Sequence, residues 1–171
     1  MKIDETAPPP DTLIAEFAAR EGHYTDCFEA ACAAPVTLPA FITAFYTQPL
    51  FRAERLLLRV AARAPSTDAD VAALAAGAGS EFAVGRVGGR TETELFLADK
   101  GGRTGSWLQV APDVLRFGSV VIPVPGRNGV LTLGPVFHSL LGAHKLYSRA
   151  LLAGAARRVC LPGVVSGAES R

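Results

Sequence analysis

Two polar side chains in the middle of an apolar helical stripe are the residues of this sequence best placed for chemistry. Between Pro135 and Val159, Phe137, Leu140, Leu141, His144, Ser148, Leu151, Leu152 and Ala155 fall on one face at about 100° per residue. His144 and Ser148 stand one turn apart at its centre, where burial demands a hydrogen-bond partner or a cavity. An imidazole exchanges protons near neutral pH and a hydroxyl donates or accepts, so the pair suits ligand orientation or general acid/base work. The plainer alternatives are a core histidine satisfied by one hydrogen bond and a serine bonded back to the His144 carbonyl. Tyr147, beside Ser148, is a further candidate ligand contact.

A carboxylate would complete an acid/base pair, and Glu54 is the candidate. It falls among Leu50, Leu57, Leu58 and Ala61, on the apolar side of a helix beginning after Pro49. If it meets His144 across a cavity, it orients the imidazole and raises its basicity. If it stays in the first turns near water, it serves the helix N-terminus. Arg52, Arg55, Arg59 and Arg63 form a basic ridge on the same helix, open to solvent or suited to phosphate or an anionic lipid headgroup. A weak contact with a membrane surface follows from the second reading. No aromatic platform accompanies the ridge, so nucleic acid is not expected.

On the strand expected at Arg103–Ala111, Arg103, Gly105, Trp107 and Gln109 share one face. If that face lines a cavity, Trp107 is a wall and Arg103 an anchor for a carboxylate or enolate. If it is the other face, Leu108 and Val110 point to the core and Trp107 packs elsewhere; alternation leaves both open. Asp99 opens a turn at Lys100-Gly101-Gly102 and reads as a turn residue. Gly85, Gly88 and Gly89 lack the strand–loop–helix context of a phosphate loop, and Gly88-Gly89 marks a bulge or bend. No cofactor or resident metal is expected. A zinc site on His23, Cys27 and Cys32 lacks a fourth ligand.

The elements that must hold these residues follow from local pattern. Met1 to Gly22 reads as a peripheral tail with at most a short helix between Thr12 and Arg20. A strand follows at His23–Ala33, then a helix capped by Thr37 with Leu38, Phe41, Ile42 and Phe45 inward. The helix from Leu50 ends at Ala64 before Pro65, and Thr67-Asp68-Ala69-Asp70 is a capping box opening a third helix. Phe82–Arg90, Glu94–Asp99, Arg103–Ala111 and Val114–Val124 are extended, with a short strand possible at Val130–Leu133 after Asn128-Gly129. The long helix comes last, and residues 160–171 read as a loose tail.

This order predicts an α+β fold, a curved antiparallel sheet of five to six strands around a long C-terminal helix, in one domain over residues 23–159. Tyr24-Thr25-Asp26-Cys27-Phe28, Phe45-Tyr46-Thr47-Gln48-Pro49-Leu50-Phe51-Arg52, Gly102-Arg103-Thr104-Gly105-Ser106-Trp107-Leu108 and the run from His144 to Leu152 strengthen that reading. Together they resemble a bacterial family of small proteins of unknown function placed beside the START/polyketide-cyclase-like superfamily. The resemblance implies a helix-grip fold and names no activity; the superfamily has six or seven strands.

Composition bounds the function. The chain has 171 residues, 49% apolar and 19% charged, with a net charge of +1, which fits an apolar cavity, an oligomer interface or membrane contact. Cys27, Cys32 and Cys160 read as free, mostly buried thiols of a reducing compartment. The N-terminus lacks an apolar signal segment, and Pro and Gly interrupt the long apolar run before His144, so a cytoplasmic protein is expected. Oligomeric state is not readable. The function expected is binding of a small lipophilic or aromatic ligand. Two alternatives stand beside it: a cofactor-free cyclase, dehydratase or isomerase on a polyketide-like carbonyl compound, and a membrane-peripheral interaction protein using the arginine ridge.

Overall fold

A computed structural model describes residues 1–53, 66–83, 85–126 and 129–160, with the side chain of Val136 not described. The main sheet has seven antiparallel strands: β1 (Asp4–Thr6), β2 (Tyr24–Ala31), β3 (Glu81–Phe82), β4 (Gly85–Arg90), β5 (Glu94–Asp99), β6 (Thr104–Ala111) and β7 (Val114–Val121). Their order is β1-β2-β7-β6-β5-β4-β3, so β3 to β7 form a meander whose last strand pairs with β2. A separate hairpin joins β8 (Val124–Pro125) to β9 (Leu131–Thr132).

Among the described residues the helices are α1 (Ala15–Ala18), α2 (Leu38–Thr47), α3 (Asp68–Ala75) and α4 (Pro135–Cys160), with residues 49–53 also helical. Thr37 caps α2, its Oγ1 accepting from Ala40 N–H. At α3 the reciprocal bonds of Thr67 and Asp70 are both present. Arg90 closes the other end of α3, donating to the Leu74 and Ala75 carbonyls at 2.7 Å each. A cation there satisfies orphan carbonyls at the negative end of the helix dipole.

Both faces of the sheet are covered. On the inner face Phe28, Leu108, Leu115 and Phe117 pack against Phe41, Phe45, Leu151 and Leu152 of α2 and α4 in the main core. On the outer face Cys27, Phe96, Trp107 and Val120 are covered by Ile14, with Leu13 and Phe17 beside it. Gly118 permits this approach: a Cβ there would lie 2.7 Å from both the Ile14 Cδ1 atom and the Asp26 carbonyl.

Several expectations are corrected here. The strand count rises from five or six to seven, because Asp4–Thr6 pairs with β2 and the extended run at Phe82–Arg90 divides into two strands. Ala83, at φ 52°, makes that corner. Residues 1–22 are not a peripheral tail, since Ile14 is a core residue of the outer face. Pro123, which has no N–H to give a ladder, ends the long strand from Val114 early. The short strand near Val130 pairs in the hairpin and not in the main sheet. Gly88 does mark a bulge, where the β4–β5 register shifts. Cys32 and Cys160 form a disulfide, Cα–Cα 5.2 Å, so the reading of three free thiols is overturned. Cys160 is thus the tied last residue of α4, not the start of a loose tail; residues 161–171 lie outside the described residues.

No helix among the described residues is long and apolar enough to cross a membrane.

Candidate functional site

Strand register sets the chemistry of the inner face. Asp26 of β2 lies opposite Ser119 of β7, which lies opposite Ser106 of β6, which meets Leu97 of β5. Paired residues point to the same face, so a polar row crosses the sheet. The next row toward the core is Phe28, Phe117, Leu108 and Leu95. Above these rows, α4 packs on β2 and β7 and against α2.

Between sheet and helices lies a cavity of about 480 Å³. Phe45, Tyr46, Phe51, Phe82 and Phe117 form its aromatic wall, with neighbouring ring centroids 4.8–6.3 Å apart. Ser106, Ser119, His144, Tyr147 and Ser148 supply polar atoms. Ser148 is 1% exposed, and among the described residues its Oγ has no hydrogen-bond partner. The back-bond to the His144 carbonyl is therefore absent, and a buried donor is left open on the cavity wall.

His144 does have a partner, and it is Asp26. The imidazole Nε2 lies 3.0 Å from Asp26 Oδ2, which also accepts from the Tyr24 hydroxyl at 3.0 Å. Asp26 Oδ1 accepts from Ser119 N–H at 2.8 Å. The Asp26 side chain is 2% exposed, whereas that of His144 is 34% exposed, so the carboxylate is sealed behind a histidine that reaches the cavity mouth. Burial, then the neighbouring Asp26 charge, pushes the Tyr24 phenol well above its ordinary range, keeping it a donor to the carboxylate. Phe137 meets the Tyr24 ring edge-on at 4.9 Å.

The outer end of this cluster is tied down by charge. Glu5 of β1 accepts from Lys145 at 2.6 Å and from Arg149 at 2.9 Å, and Arg149 also donates to the Ile3 carbonyl and stands over the Phe28 ring. Mainly through the Lys145 bond, the Glu5 carboxyl is held below its ordinary value. At the other end of α4, Gln48 donates to the Phe45 and Leu151 carbonyls at 2.9 Å each, and Gly154 leaves room for its side chain.

Of the residues expected at the site, the structure brings His144, Ser148 and Tyr147 to the cavity. Trp107 is not there. It is buried on the outer face, its Nε1–H donating to Glu94 Oε2 at 2.7 Å, and that oxygen also accepts from Leu13 N–H at 2.8 Å. Arg103 is exposed beside the β5–β6 turn, where its backbone N–H donates to Asp99 Oδ1. Asp99 is the turn residue expected, taking Gly101, Arg103 and Thr104 N–H groups. Glu54, Arg55, Arg59 and Arg63 lie outside the described residues. Arg52 forms an ion pair with Asp68. The three-residue zinc alternative fails, because Cys32 is in a disulfide and Cys27 is buried in the outer-face core.

The residue missed is Asp26. Its signal was its alternation with Tyr24, Phe28 and Ala30, which places a carboxylate on the core face of a buried strand. Comparison with known proteins adds no relative: no family model, curated protein or solved structure matches the chain.

Proposed function

We propose that this protein binds a small, largely apolar molecule between its sheet and α4, in a helix-grip-like arrangement. The observation that carries the reading is the cavity of about 480 Å³ with an aromatic wall and, buried in it, a Ser148 hydroxyl with no partner among the described residues. That size and that balance of apolar wall to few polar groups are typical of small-molecule sites. The aromatic wall takes the ligand's ring or chain, and Ser148 with His144 takes its oxygen or nitrogen. The meander closing on β2, with α4 returning over β2 and β7, supports the helix-grip reading and the resemblance to START/polyketide-cyclase-like proteins.

Native and denaturing mass spectrometry of the purified protein, with and without added 2-tetralone, tests this. A small-molecule mass seen only in the native spectrum of the wild type, and lost when Ser148→Trp fills the cavity, is the expected result. Absence of any co-purified mass together with no uptake of 2-tetralone would overturn the reading. So would a bound mass that Ser148→Trp leaves unchanged while the variant stays folded.

A further inference from the structure

The structure assigns to the Asp26–His144 pair a proton-transfer role on an enolisable carbonyl compound held in the cavity, an inference that rests on the binding function above. His144 is the catalytic residue and Asp26 its positioning residue.

The argument begins with the tautomer. Asp26 Oδ2 is an acceptor for Nε2, so the imidazole carries its proton on Nε2 and its lone pair on Nδ1. Among the described residues, Nδ1 has no protein partner, and His144 is part of the cavity wall. Asp26 is itself fixed on three sides, by Tyr24, Ser119 N–H and His144. A base held by a buried carboxylate, which is in turn held by its own donors, is the orientation that general base catalysis requires. One helical turn along, about 6 Å by helical rise, the Ser148 hydroxyl has no acceptor among the described residues and can donate to a ligand. A carbonyl oxygen at Ser148 therefore leaves the adjacent carbon within range of Nδ1.

The step balances without a co-reactant. Nδ1 takes a proton from the carbon beside the carbonyl, and the C–H electron pair forms the C=C bond of an enolate. The carbonyl π pair moves to oxygen, which accepts a hydrogen bond from Ser148. The Nδ1 proton then returns to the same carbon, giving exchange, or to the far end of a conjugated system, giving an isomer. Among the described residues, the charged and titratable groups around His144 are Asp26 and Tyr24 of β2, Glu5 of β1 held by Lys145 and Arg149 of α4, and Tyr147 on the same cavity wall.

Deuterium wash-in at the α-carbon of 2-tetralone, followed by proton NMR in buffered D₂O, tests this with the full chain. Wild-type protein should exchange the probe above the buffer rate. His144→Gln should lose about 100-fold or more of that excess, the usual range for a general base, when measured at 2-tetralone concentrations at which native mass spectrometry shows the variant loaded. In His144→Ala, added imidazole should restore exchange, which a purely structural histidine would not allow. Asp26→Asn should lower the exchange rate at unchanged affinity, and Asp26→Glu should recover part of the rate. Binding of 2-tetralone with exchange at the buffer rate would overturn proton transfer and leave the binding function standing. No uptake of 2-tetralone together with no co-purified mass would overturn both.

Discussion

At the scale of single residues, register decides what each polar group does. Asp26 and Cys27 are neighbours in β2, yet Asp26 joins the cavity cluster and Cys27 is sealed on the opposite face beside Trp107 and Ile14. Burial pushes the Cys27 thiol up from 9.0 to about 12. The sign follows from linkage. Below 9.0 both the folded and the unfolded chain hold the proton, so this group's contribution to stability is fully present. Above 9.0 the unfolded chain loses it while the folded chain keeps it, and the contribution falls away as pH rises toward about 12. The gap in urea midpoint between wild type and Cys27→Ala should therefore narrow from about pH 8 to about pH 10. A thiol reagent at about pH 8 should find no reactive cysteine in the native protein and one in the denatured, unreduced protein. A native thiol that reacts at once, or three thiols after denaturation, would contradict the burial or the disulfide respectively.

At the scale of elements, the two faces of the sheet have separate duties. The inner face carries the cavity and is roofed by α4, which Gln48 fastens to α2 and which Lys145 and Arg149 fasten to β1. The outer face is a packed apolar core that depends on Trp107, whose indole N–H satisfies the buried Glu94. Removing that donor while keeping an aromatic ring separates the duties. Trp107→Phe should cost about 1–3 kcal/mol in a chemical melt, the penalty of leaving a buried acceptor short of a partner. Retention of 2-tetralone should be unchanged, because residue 107 and the cavity lie on opposite sides of the sheet. A loss of ligand without loss of stability would return Trp107 to the site.

At the scale of the whole molecule, the Cys32–Cys160 bond joins the end of β2 to the end of α4 across 128 residues. The closed loop contains β3 to β7 and both long helices, and leaves β1 and β2 outside it. Closing so long a loop in the unfolded chain stabilises the fold by as much as about 5 kcal/mol on chain entropy. Cys32→Ser should lower the melting temperature by about 10 °C, and reduction of the wild type should reproduce that drop. No change on reduction would mean that the bond does not form in solution. Its presence also removes the argument for a reducing compartment, which rested on three free thiols.

The sequence by itself determined the α+β order, the long final helix with His144 and Ser148 on its apolar face, both helix caps and the β5–β6 turn. Each depends on neighbours within a few residues, where helical or strand periodicity and turn chemistry act. It did not determine which face of β6 meets the cavity, because Trp107 and Leu108 are both apolar and alternation alone has no sign. It did not pair His144 with Asp26, which lies 118 positions away and meets it only because β2 closes the sheet beside β7 under α4. Nor did it join Cys32 to Cys160, whose spacing carries no motif. Those outcomes belong to tertiary structure, where contact depends on the packing of whole elements and not on the residues at either end.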